Sequence, residues 1–522
     1  MILRDLWSKI CHAWYTLQLT HCGGKYSIER ALALADFTRT TSFARVLFLI
    51  LAPPLITITL VVCQESIPLQ DPREGWKANF GFWPRVGVLG AFVGSAAVHI
   101  SCPWLGLPPP SSRQQIACCA CLGSALIVVG MATSALWVFP VPFFMFSVLL
   151  PVSCLFLPLL YVVCLIGMMS LAYPAFQVLF NKANHTINEV PVLLLLPAFK
   201  IATKRLYALL ASQKWDMVPE QIVFTVDFFD ALYLATCMPS VSTTSLAVIL
   251  VVDIAQTGID LLELHQRTQS ILARLRTAGN IRGDCSLLSA VRLLCCNPEI
   301  LRNQEIDVRS CIPHQLSHDD RKLLEKIERD CRANKLVQRS TSTTSTPPQS
   351  LTLVAIPGRV GSPIAVHPHP GPSLITNSSE VDIFACESVK DLSIVDILQE
   401  ALEVLFTAEC LILTECLEII VPVLYGTFIF AMTFLPSAQY HTEMVDVSRE
   451  NVASMMSSVF VYAMLEFLSF IVLAGIMKRN CGLDAFYHLA FVVQTQKQFM
   501  LSKLMLWMMI TLTFRVTHFG TF

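Results

Sequence analysis

Charge is missing from a long part of this chain. From Gln114 to Asn181, a run of 68 residues, there is no Lys, Arg, Asp, Glu or His. About 20 apolar residues suffice to cross a bilayer, so the run excludes an ordinary soluble domain and implies an integral membrane protein. Charged residues make up 14% of the whole chain and hydrophobic ones 54%, with a mean hydropathy of +0.59; soluble domains carry about 25% charge. An excess of either sign is also lacking. The net charge is -1 and the pI near 6.8, which leaves no basic face for nucleic acid.

Other absences narrow the chemistry. No P-loop pattern, paired C-x-x-C array, H-x-x-x-H series or G-x-S-x-G elbow occurs. The expectation is a protein that is not an enzyme and needs no cofactor. The first 45 residues carry Arg4, Asp5, Lys9, Lys25, Glu29, Arg30, Asp36 and Arg39, so no uninterrupted apolar core for a cleavable signal peptide is expected there. The 19 Cys lack the paired spacing of a disulfide scaffold. Cys118, Cys119 and Cys121 contain a C-x-x-C without the second pair that a metal site wants. Cys295-Cys296 is a membrane-side palmitoylation candidate, with an ordinary dithiol as the favoured reading.

The apolar runs predict an all-α polytopic helix bundle of about eight spans, with six or nine as alternatives. The spans are Val46 to Cys63, interrupted by Pro53 and Pro54, then Val86 to Leu105, Ile116 to Phe139, Phe143 to Leu171, Ile222 to Met238, Ser245 to Leu262, Glu415 to Leu435 and Ala453 to Met477. In the six-span version Ile222 to Leu262 forms an interfacial hairpin. Val190 to Gln213, with Lys200, Lys204, Arg205 and Lys214, reads as a basic helix lying on an anionic leaflet or as a packed cytosolic helix. Leu483 to Phe514 reads as an interfacial amphipathic helix.

The corresponding layout is a cytosolic segment 1–45, membrane parts 46–264 and 397–482, a polar insert 265–396 and an amphipathic tail 483–522. Local helix is expected over Asp319 to Leu336 and disorder after it, where Ser, Thr, Pro and Gly dominate. The Lys/Arg bias of the loops places both ends and the insert on the cytosolic side. The sequons Asn184-His-Thr186 and Asn377-Ser-Ser379 then lie in the cytosol, unused. The expected partners are the lipid bilayer and, through the insert, cytosolic proteins.

The chemistry-bearing candidates are acids inside the spans: Asp253 and Glu466 first, then Asp227 and Asp230, with Glu415 and Glu418 closer to a helix end. A charge at mid-depth costs about 2.5 to 3.5 kcal/mol on insertion scales, so such residues face the bundle interior and mark ion or proton paths, or else serve as hydrogen-bonded packing groups. His99 is expected to be a satisfied bundle histidine. A transporter or channel-like protein is the leading reading, and a non-transporting scaffold or sensor working through the insert is the alternative.

Three strings carry a resemblance: Val223 to Cys237 (VFTVDFFDALYLATC), Val459 to Leu473 (VFVYAMLEFLSFIVL) and His488 to Gly520 with its Ser502-Lys-Leu-Met-Leu-Trp507. From about Pro191 onward the chain resembles a large family of uncharacterised multi-pass membrane proteins of oomycetes. The resemblance implies a shared layout of helices, variable polar insert and closing amphipathic stretch. It transfers no catalytic or binding residue.

Overall fold

In a computed structural model of the chain the described residues are 24–104, 107–108, 110–156, 172–173, 175–180, 182–183, 186, 189–211, 215–277, 286–295, 306–312, 314–329, 381–513 and 515–520. In chain order their principal helices are α1 (Ile28–Thr40), α2 (Phe43–Glu65), α3 (Phe82–Trp104), α4 (Ser112–Leu136), α5 (Leu150–Phe156), α6 (Glu189–Ala211), α7 (Val218–Ser240) and α8 (Thr243–Thr277). They continue as α9 (Leu287–Cys295), α10 (318–329), α11 (Val381–Met432), α12 (Ser457–Cys481), α13 (Ala485–Thr495) and α14 (Lys497–Met508). The described residues contain no strand, only a single bridge between His441 and Val516, as the all-α expectation requires.

Local chemistry sets several helix ends. Ser111 caps α4: its hydroxyl accepts from the Gln114 backbone and the Gln114 side chain answers the Ser111 backbone, so two first-turn donors are satisfied. Gly482, at φ 65°, closes α12 in the left-handed conformation that side chains resist, after Lys478 and Arg479 in the last turn. α2 runs unbroken through Pro53 and Pro54, and the Thr57 hydroxyl donates to the Pro53 carbonyl at 2.9 Å.

Among the described residues six helices are long and apolar enough to cross a membrane: α2, α3, α4, α7, α8 and α12. Their exposed sides are apolar. Phe48, Leu51 and Leu55 on α2, Val251 and Ile254 on α8, and Met464, Leu468 and Val472 on α12 all face outward, a surface suited to lipid. α3 and α4 meet through small residues. A Cβ at Gly90 would lie 2.7 Å from the Gly123 Cα, so the two backbones touch there without side chains between them.

α11 is the central element and packs against α2, α7, α8, α9, α12 and α13. At 52 residues it is about 78 Å long, so the expected span Glu415 to Leu435 is only its C-terminal part. α8 likewise continues past Leu262 to Thr277, where Arg267 pairs with Glu403 and Arg274 with Glu400. The polar insert is therefore not wholly separate from the bundle. α9 packs against α1, Leu324 and Ile327 of α10 are buried in the core, and the Ile28 amide donates to Asp307. The helix expected over Asp319 to Leu336 is described over 318–329. The rest of it, the Ser/Thr tract after it, Cys296, Asn184, Asn377 and the span beyond Phe156 lie outside the described residues. Cys295 is buried, a position that does not suit acylation.

The two ends of the bundle are distinct. One holds α1, α9 and α10; the other holds Glu65, which pairs with Arg85 at 2.5 Å and His441 at 2.9 Å. The tail differs from the interfacial helix expected for it. It breaks at Gln496 into α13 and α14, and from Phe499 to Met508 every residue of α14 but the half-buried Leu501 is buried. Gln498 meets His99 near the first end, and Arg515 meets Glu443 near the second. Lys503 points inward, donating to the Gln221 carbonyl and side chain and to Thr225 at 2.7–3.0 Å. Gln498, Ser502 and Lys503 thus serve as partners for other helices.

Two expected outcomes follow from this packing. Gly90→Val overpacks the α3–α4 contact and should cost about 1–3 kcal/mol, read as a lower Tm in detergent. Gly258→Ala, where a Cβ meets nothing within 4 Å, should leave the Tm unchanged or raise it; equal effects of the two would contradict the contact. His314 stacks on Phe491 at 5.6 Å, and burial, then the Arg30 charge, pushes its pKa down to about 3. The unfolded chain takes up this proton near pH 6.5 and the folded one does not. Stability should therefore be full above pH 6.5 and fall by about 1.4 kcal/mol per pH unit below it, and His314→Phe should flatten that slope in pH-dependent melting.

Candidate functional site

Helical spacing aims polar side chains from five helices at one interior point. Lys200 and Lys204 lie four apart on α6, Asp227 and Asp230 three apart on α7, Asp253 and Thr257 four apart on α8. Glu415 and Glu418 lie three apart on α11, and Tyr462, Glu466 and Ser469 share one face of α12. A π turn over Val223–Asp227 widens α7 just where Asp227 enters.

Lys200 sits at the centre. Its Nζ is 2.7 Å from Glu418 and 3.3 Å from both Asp227 and Asp230. Lys204 pairs with Asp227 at 2.7 Å, and Thr414 donates to the other Asp227 oxygen at 3.1 Å. Glu415 accepts from Thr257 at 2.5 Å and from Ser469 at 3.4 Å. Asp253, Glu418 and Glu466 each bring a carboxylate oxygen within 4.8 Å of the others. Three carboxyl groups this close can all stay in an apolar interior only if protons or cations offset part of their charge. Two small cavities, of about 60 and 50 Å³, adjoin the group, each large enough for water.

Six carboxyl groups thus face two ammonium groups. Full ionisation would leave four uncompensated negative charges in an apolar bundle, which the cost of burying charge forbids. Chemically, such an arrangement can store protons or bind small cations.

The four acids singled out in the sequence, Asp253, Glu466, Asp227 and Asp230, all converge here, joined by Glu415 and Glu418. Lys200 and Lys204 go against the leaflet-lying alternative for this helix and fit a packed one. They turn inward, because the acids of α7 and α11 offer more than an anionic leaflet would. The signal was two lysines at i, i+4 within an otherwise apolar stretch. His99 is satisfied, as expected, by the Ser95 carbonyl at 2.8 Å and Gln498 at 3.2 Å. Cys118, Cys119 and Cys121 are free thiols.

A second buried network escaped sequence reading. Nine residues separate Glu409 from Glu418, two and a half turns, so Glu409 lies on the opposite face of α11. There Arg30 of α1 lies between Glu220 at 2.5 Å and Glu409 at 2.7 Å. Ser27 holds Asp216 through its amide and hydroxyl at 3.0 and 2.7 Å, and Tyr26 joins Glu409 to His488. Nothing in the sequence linked Arg30, in a polar leading segment, to acids 190 and 379 residues away.

No protein-family model, curated protein or solved structure matches this chain. The site's chemistry is therefore argued from its own geometry. The two networks should respond differently to substitution. Arg30→Met strands Glu220 and Glu409 and should cost about 3–5 kcal/mol, whereas Asp253→Asn removes excess negative charge and should not lower the Tm. Equal losses in thermal melts of the two variants would show that both networks are only structural.

Proposed function

We propose that this chain is an integral membrane protein that passes protons or small inorganic cations through the bilayer by way of Asp253, Glu418 and Glu466. One observation carries the reading: six carboxyl groups and two lysines converge from five helices beside cavities of water size. Interior acids at such density are costly in a membrane and suit an ion or proton path. Packing alone gives no reason for them, since Arg30 and Glu409 show that this bundle also builds buried ion pairs flanked by partners at 2.5–2.7 Å. The cavities are too small for organic solutes, which need about 300 Å³ or more.

The purified protein in liposomes holding a pH-sensitive dye, with a potassium gradient and valinomycin to set the voltage, tests the proposal. Wild type should move protons, or Na⁺ or K⁺ followed with matching dyes, and Asp253→Asn should slow that flux at least tenfold with unchanged expression. Wild-type liposomes as tight as empty ones to every ion tested would sink the transport reading and leave the scaffold.

A further inference from the structure

The two cavities share four lining residues, Lys200, Asp253, Gln256 and Glu418, and otherwise diverge. The first extends along α8 to Thr257 and Asp260 and along α11 to Cys410 and Leu411, toward the end of the bundle that holds α1. The second extends along α8 to Ser245 and Ile249 and along α7 to Leu234, toward the end that holds Glu65. Their outer limits on α8, Ser245 and Asp260, are about 22 Å apart at 1.5 Å per residue. They are thus stacked along the bundle, with the Lys200–Glu418 ion pair at their boundary.

Resting on the transport reading above, we propose that the Lys200–Glu418 ion pair is the movable partition of a proton path, and that protons pass only when the Lys200 ammonium leaves Glu418 for Asp227 and Asp230. The geometry makes that exchange short, because both alternative carboxylates already lie 3.3 Å from Nζ, and the ammonium keeps its charge and a counter-ion throughout. Glu418, relieved of its partner, takes a proton from water in one cavity and becomes a neutral acid. The proton then leaves for water in the other cavity by way of Asp253 and Glu466, whose carboxylate oxygens lie within 4.8 Å of that of Glu418, and the carboxylate recovers Lys200. One proton enters, one leaves, and no bond to carbon changes. Asp253 lines both cavities, which places the pair where it can exchange with either.

The proteoliposome assay compares wild type with Lys200→Gln, Asp253→Asn and the charge exchange Lys200→Glu/Glu418→Lys. The partition predicts that Lys200→Gln raises voltage-driven proton flux several-fold, that adding Asp253→Asn abolishes the rise, and that the exchange variant falls back toward the wild-type rate. Proton flux that needs Asp253 but is the same with and without Lys200 would overturn the partition while leaving the transport reading intact. A flux carried by Na⁺ or K⁺ instead of protons would overturn the proton assignment. No flux in wild type would overturn both.

Should Lys200→Gln fail to fold, side-specific accessibility tests the partition instead. Leu411→Cys and Ile249→Cys are treated with a membrane-impermeant thiol reagent from each side, and labelling is read at each peptide by mass spectrometry. The partition predicts that each position reacts from one side only, and from opposite sides. Labelling of either position from both sides would overturn it.

Discussion

Every ionised side chain carried into this bundle must meet an opposite charge or a proton there, and α11 is where that constraint concentrates. Its acids sit on two faces. Glu409 looks toward α1 and is matched by Arg30; Glu415 and Glu418 look toward α6, α7, α8 and α12. The neighbours are fixed by the need to answer these charges, since an unpaired one costs more than any single packing contact returns. α1 docks because Arg30 has nowhere better to go. α6 turns its lysines inward for the same reason.

The two faces differ in how completely they are answered. Around Glu409 each acid has a partner at ordinary ion-pair or hydrogen-bond distance, and Tyr26, Ser27 and Gln496 add further bonds. That face behaves as a clasp. Around Glu418 the acids outnumber the lysines by three to one, and water-sized spaces lie on both sides of the central pair. A clasp would gain by losing the surplus acids. A site that takes up and releases positive charge needs them, because a carboxylate already locked to a lysine has no room for a proton.

Much of the fold was legible in one dimension. Runs such as Val46 to Cys63 and Ala453 to Met477 are apolar enough that their helices appear within a few residues of the expected limits. Asp253 and Glu466 stood out because apolar neighbours on both sides rule out a helix end. What stayed hidden was direction. The same pattern of lysines among leucines fits a helix lying on a leaflet and a helix facing acids, and only the position of α7 and α11 decides between them. The tail failed likewise: Ser502 and Lys503 form a polar face whether they meet water or meet Ser95 and Gln221. α11 was cut short because Glu400, Glu403 and Glu409 look like the polar end of a helix until Arg274, Arg267 and Arg30 arrive from elsewhere to pair with them.

The central claim is that the surplus acids hold exchangeable protons in the folded protein. Infrared difference spectroscopy on the reconstituted protein measures this directly, by comparing the protonated-carboxyl band of wild type with that of Asp253→Asn and Glu466→Gln at neutral pH. The account predicts a band in wild type that either substitution removes or shifts and that moves on exchange into heavy water. A spectrum showing only ionised carboxylates, unchanged by both substitutions, would contradict it.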